Sequence, residues 1–124
     1  MSLRSPLGRV RGLGSAKQGV EHWWSQRVTA IALAPLSIWF LWMLVTHAGA
    51  SHADMRQLIA SPLNAVLLIS FLYCIFWHGK LGLQTIIEDY VHHRPLEITL
   101  LLLVKYSAFL CAAAGILAVL RIAL

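Results

Sequence analysis

The chain has 124 residues, of which 59% are hydrophobic and 12% charged, and its mean hydropathy is +0.72. Soluble domains carry roughly 25% charged residues, so this balance excludes an ordinary soluble fold, and the apolar content excludes intrinsic disorder. The formal net charge of +5 marks the cytoplasmic flank of a membrane protein rather than a nucleic-acid binder, and the length allows one domain at most.

Residues 1–27 form a basic segment with Arg4, Arg9, Arg11, Lys17 and Arg27, and Glu21 as its one acid. The apolar stretch beyond it is too long, and the basic segment too extended, for a cleaved secretory signal. Its serines and its lack of acids before Glu21 also suit a mitochondrial transit peptide. No Asp, Glu, Lys or Arg lies between Arg27 and Asp54, or between Arg56 and Lys80. Between Glu97 and Arg121 only Lys105 intervenes. A bilayer core of roughly 30 Å needs about 20 helical residues. An all-α membrane protein is therefore predicted, with three transmembrane helices over 28–48, 60–84 and 97–122. Together residues 28–124 make the membrane domain.

Within the first span, Pro35 removes a backbone donor and predicts a bend. Trp23 and Trp24 fall where an interfacial aromatic belt is expected. Ser61-Pro62 reads as the start of the second helix, with Ser61 as cap and Pro62 in the first turn. Arg94-Pro95 precedes the third helix in the same way. The basic leader puts the N-terminus in the cytoplasm. Three spans then put the C-terminus on the periplasmic side, with the first loop (47–59) outside and the second (85–96) inside. Cys74 and Cys111 lie in apolar stretches without CxxC spacing, which supports neither a disulfide framework nor a zinc site. Small residues recur every fourth position at Ser70, Cys74 and Gly82 around His78, and at Ser107, Cys111 and Gly115. Such faces let helix backbones approach each other or a flat ligand.

An imidazole within a membrane span is costly unless it has a partner. Two readings of His78 stand side by side. It is either an interfacial histidine hydrogen-bonded to a neighbouring helix, or an axial ligand of haem iron. Gly82, one turn along, and the adjacent Gly79 would leave room for a porphyrin plane. A second histidine ligand would have to come from another chain. Glu88-Asp89-Tyr90 at the end of the same span is either a hydrated helix end or part of a quinone site. There a tyrosine hydroxyl could donate to a carbonyl oxygen and a carboxylate could relay protons. His92 and His93 have no third ligand at metal-binding spacing.

His78, Gly82 and Asp89-Tyr90-Val91, in this order on the second of three short spans, resemble the small hydrophobic anchor subunit of succinate dehydrogenase (respiratory complex II). Arg27-Val28-Thr29-Ala30 is similar to an R-x-T-A signature at the start of the family's first helix. Glu21-His22-Trp23-Trp24-Ser25-Gln26 resembles the alphaproteobacterial branch. The resemblance runs from about Gly19 to the end.

It implies a heterodimeric anchor bundle made with a second membrane anchor, the large cytochrome b subunit. A flavoprotein subunit would oxidise succinate to fumarate, and an iron–sulfur subunit would pass the electrons to ubiquinone. This chain would then be a subunit outside the catalytic core. The resemblance further implies that His78 is an axial ligand of a shared haem b. Tyr90 would donate to a ubiquinone carbonyl, and Asp89 would tune that tyrosine or deliver protons. Arg27 and His22 would lie near a haem propionate.

Glu88 leaves open which acid is functional. Lys80 snorkels to the headgroups or lies near a propionate, and Lys105 snorkels or contacts anionic lipid. The implied location is the bacterial inner membrane, with the mitochondrial inner membrane as the alternative. The alternatives in function are the anchor of a fumarate reductase, another small cytochrome b, and a cofactor-free structural subunit. No span carries an acidic residue or polar stripe suited to an ion path. No nucleophile–base pair or phosphate loop suggests an enzyme acting alone.

Overall fold

The computed structural model describes residues 5–11 and 19–124. Arg4 and Lys17 of the basic leader lie outside the described residues. Among the described residues five helices follow in order: α1 (Pro6–Arg11), α2 (Gly19–Thr46), α3 (His52–Ala60), α4 (Pro62–Tyr90) and α5 (Arg94–Ala123). There is no strand among the described residues. Three of the helices, α2, α4 and α5, are long and apolar enough to cross a membrane. The chain is an all-α, membrane-integral protein.

Each long helix outruns the apolar stretch from which it was predicted. α2 has 28 residues, about 42 Å at 1.5 Å per residue, against a hydrocarbon core of roughly 30 Å. Hydropathy marks where lipid ends, not where backbone hydrogen bonding ends. α2 is therefore already helical at Gly19, where the described residues resume, and carries Glu21 and His22 ahead of the apolar stretch. α4 runs on to Tyr90 and stops at Val91, whose backbone is extended. The predicted loop 85–96 shrinks to Val91–His93. Pro95 does stand in the first turn of α5. α2 continues through Pro35 without a break in the helix.

The predicted loop 47–59 holds a helix of its own. Ser51 Oγ accepts from the Asp54 backbone N–H at 3.2 Å, and Asp54 Oδ2 accepts from the Ser51 N–H at 3.3 Å. This reciprocal capping box starts α3. Ser61 occupies the N-cap position of α4 as predicted, but its side chain makes no cap bond. Asn64 instead ties the turn by donating to the Leu58 carbonyl at 2.9 Å.

α4 is the middle helix. It packs against α2 on one side and α5 on the other, and the backbones of α2 and α5 do not approach each other closely among the described residues. The core gathers where the second half of α2 meets the start of α4 and the end of α5. There Met43, Ala65, Leu68 and Val119 are buried, with Trp39, Leu58 and Leu72 packed on them. Phe40 and Phe71 stack at 4.7 Å. A Cβ added at Gly115 would lie 3.1 Å from Leu72 Cδ1, so this glycine sets how closely α5 approaches α4. Gly115→Val is expected to destabilise the bundle by ~1–3 kcal/mol, read as an earlier thermal midpoint in detergent. An unchanged midpoint would mean that Leu72 swings aside.

The outer faces expose large apolar side chains, among them Ile31, Ile38, Trp42, Leu103 and Phe109. Such surfaces are stable only against lipid or other apolar chains.

Candidate functional site

His78 lies on the face of α4 that meets α2. Its Nδ1 is 3.0 Å from Thr29 Oγ1, and its Nε2 is 3.2 Å from Gln26 Nε2. Thr29 is 7% exposed and is the one buried polar residue among those described. Its hydroxyl also reaches back along α2, to the Ser25 carbonyl at 2.8 Å and the Gln26 carbonyl at 3.1 Å. His22, Gln26 and Thr29 are spaced four and three residues apart, which sets them on one stripe of the helix. His22 Nε2 and Gln26 Oε1 are buried without a partner among the described residues. α2 thus presents Gln26 and Thr29 to the imidazole, with His22 one turn away on the same stripe.

The glycines beside His78 are not demanded by packing within the chain. A Cβ at Gly82 would meet only Gln26 Nε2, at 3.7 Å, and one at Gly79 would meet nothing within 4 Å. Both leave space that the described residues do not fill.

Of the residues expected near a propionate, His22 belongs to the stripe but Arg27 does not. Arg27 is exposed, with its guanidinium 5.0 Å from the Trp23 ring centroid, and Trp23 stacks on Trp24. The Lys80 ammonium sits 4.8 Å over the Trp77 ring. Lys105 is exposed. A groove between α4 and α5 is lined by Phe76, Gly79, Lys80, Val104 and Cys111. His78 is not among its lining residues.

Glu88, Asp89 and Tyr90 form the last turn of α4, about 18 Å along the helix axis from His78. Gln84 Nε2 donates to Glu88 Oε1 at 2.9 Å. Asp89 has no such bond among the described residues, and Tyr90 is 78% exposed. The structure therefore holds two separate polar places. One lies within the span, between α2 and α4, and the other at the end of α4.

Two members of the first place, Gln26 and Thr29, were given no role from sequence. The signal was their spacing from His22, which repeats the helical period.

A profile of the succinate dehydrogenase/fumarate reductase transmembrane subunit family matches residues 1–114. The chain belongs to this family. It is 33% identical over 116 residues to the succinate dehydrogenase hydrophobic membrane anchor subunit of Rickettsia bellii, covering 94% of this chain and 93% of that one. It is 30% identical to the succinate dehydrogenase membrane anchor subunit of Reclinomonas americana, over 74% of this chain and 79% of that one. The hydrophobic membrane anchor subunit of Paracoccus denitrificans is 27% identical, over 89% of this chain and 85% of that one. This succinate dehydrogenase/fumarate reductase transmembrane subunit thus has three long apolar helices among its described residues, with α4 in the middle bordering both polar places.

Proposed function

We infer that this chain is a membrane anchor subunit of a succinate:ubiquinone oxidoreductase. It works with a second anchor chain, an iron–sulfur subunit and a flavoprotein subunit in a bacterial inner membrane. Its N-terminus is cytoplasmic and its C-terminus periplasmic. His78 is an axial ligand of a haem b shared with the second anchor, and Tyr90 and Asp89 belong to the ubiquinone-reduction site. The observation that carries this reading is His78 itself. It is an imidazole inside an apolar span, held at Nδ1 by a buried oxygen, with small residues beside it.

The residues fit the group. His22 Nε2 and Gln26 Oε1 are buried polar atoms that lack partners among the described residues, and unpaired buried polar atoms are costly. Gln26 Nε2 lies against His78 Nε2, and a flexible glutamine side chain can turn aside from it. When bound, haem supplies one-electron redox chemistry. This chain's residues orient the imidazole, keep water from it and hold its proton. At the end of α4, the exposed Tyr90 hydroxyl donates to a ubiquinone carbonyl. Gln84 engages one oxygen of Glu88, which favours Asp89 as the acid that tunes Tyr90 or delivers protons.

Arg27 and His22 neighbour a propionate in this reading. Arg27, exposed beside Trp23, is free to pair across an interface. A cation there favours the reduced haem, because reduction adds an electron to the site. Arg27→Leu is expected to lower the haem midpoint potential by tens of millivolts. An unchanged potential in the assembled complex would remove Arg27 from this role.

The test of the whole reading is gentle purification through a tag on this chain. A dithionite-reduced minus oxidised spectrum then follows, together with identification of the co-purifying subunits. A b-type signal with flavin and iron–sulfur partners supports it. One observation favours a second reading, in which His78 is purely structural: both ring nitrogens already have partners inside the chain. An intact, stoichiometric complex without haem would select that reading.

A further inference from the structure

We propose that Thr29 is a positioning residue: it fixes His78 as the tautomer protonated at Nδ1 and so reserves the Nε2 lone pair for iron. The proposal rests on the haem-ligand reading given above.

A hydroxyl has one proton to give. The shortest contact of Thr29 Oγ1 is the Ser25 carbonyl at 2.8 Å, with the Gln26 carbonyl at 3.1 Å. Carbonyl oxygens only accept. A helical threonine bonded back to the preceding turn is a familiar arrangement, and it commits the proton to α2. What Thr29 offers His78 Nδ1 at 3.0 Å is therefore a lone pair, and Nδ1 carries the hydrogen.

The other side of the ring is compatible with this tautomer. The amide nitrogen of Gln26 lies 3.2 Å from His78 Nε2, and in that orientation it donates to Nε2. Thr29 therefore selects the tautomer, and Gln26 accommodates it. A histidine that binds a metal through one nitrogen needs its proton on the other, and an acceptor for that proton raises the basicity of the ligand. Thr29 is branched at Cβ, so few rotamers are open to it. At 7% exposure it has little competition from water. No other hydrogen-bond partner of Nδ1 is present among the described residues.

The direction of the effect follows. A more basic imidazole favours ferric over ferrous iron. Removing the acceptor should move the potential up, opposite to the effect expected of Arg27→Leu. The experiment is a redox titration of the haem in the assembled complex carrying Thr29→Val, Thr29→Ser or His78→Ala. Thr29→Val keeps the shape and deletes the acceptor. Its expected midpoint lies above wild type by about a tenfold change in the ferric-to-ferrous ratio, ~59 mV for one electron, with haem lost ~10-fold more readily. Thr29→Ser keeps the oxygen and should return most of both. Thr29→Ala deletes the same oxygen and takes the place of the valine variant if that variant fails to accumulate. A midpoint at or below wild type in the acceptor-free variant overturns the proposal. So does an upward shift that serine does not reverse, since packing alone would then account for it. If His78→Ala loses the b-type signal while Thr29→Val titrates as wild type, only the tautomer role falls. If His78→Ala keeps the signal, the haem-ligand reading falls and takes this proposal with it.

Discussion

Tyr90→Phe is expected to cut ubiquinone reduction ~10- to 100-fold while succinate oxidation by soluble artificial acceptors stays near wild type. The magnitude is that of one hydrogen bond to a developing charge in an apolar site, ~1.5–3 kcal/mol. The substitution removes one oxygen from a side chain that is 78% exposed at the last residue of α4. The fold of this chain has nothing to lose from it. The two assays separate the proposed site from the rest of the complex, because soluble acceptors draw electrons before they reach the membrane. Equal survival of both activities would place Tyr90 outside the quinone site. Equal loss of both would point to failed assembly.

His78→Ala is the second large effect. It should abolish most of the b-type absorbance, measured per flavin in a complex that still assembles. Alanine removes the proposed iron ligand. It also leaves the Thr29 hydroxyl and the Gln26 amide facing a void, so a fall in thermal stability should accompany the loss of colour. A fall in stability with full absorbance would instead assign His78 to the Thr29–Gln26 cluster alone.

How much of this was legible beforehand depended on where each property resides. The three spans were plain because charge is excluded from lipid, and residues 28–53 and 57–79 contain no Asp, Glu, Lys or Arg. Helix ends were less plain. Glu88, Asp89 and Tyr90 fell beyond the predicted span 60–84, although one reading made them a hydrated helix end; a helix leaving the bilayer keeps its hydrogen bonds until something stops it. α3 was missed although its signal was present: Ser51 and Asp54 form a capping box, and Asp54 was read only as the charge that closes the first apolar stretch. Ser61 shows the reverse, a cap residue in the expected position whose hydroxyl makes no cap bond.

The partner of His78 could not be read from α4 at all, because it lies on another helix. What could be read was the stripe His22, Gln26, Thr29 on α2, but Arg27 drew attention by its charge. In the structure Arg27 rests on Trp23 at the surface, while the quieter Thr29 meets the imidazole.

The placement of α4 has a consequence for how this protein can change over generations. α2 and α5 each lean on α4, and their backbones stay apart from each other. A side chain altered on α2 disturbs its one seam with α4, and one on α5 disturbs its seam with α4 or the smaller one with α3. α4 forms seams with α2, α3 and α5, and it also carries His78, Asp89 and Tyr90. Mutational tolerance should therefore be lowest along Pro62–Tyr90 and highest along the outward faces of α5. A saturation library selected for growth on succinate would show that contrast helix by helix.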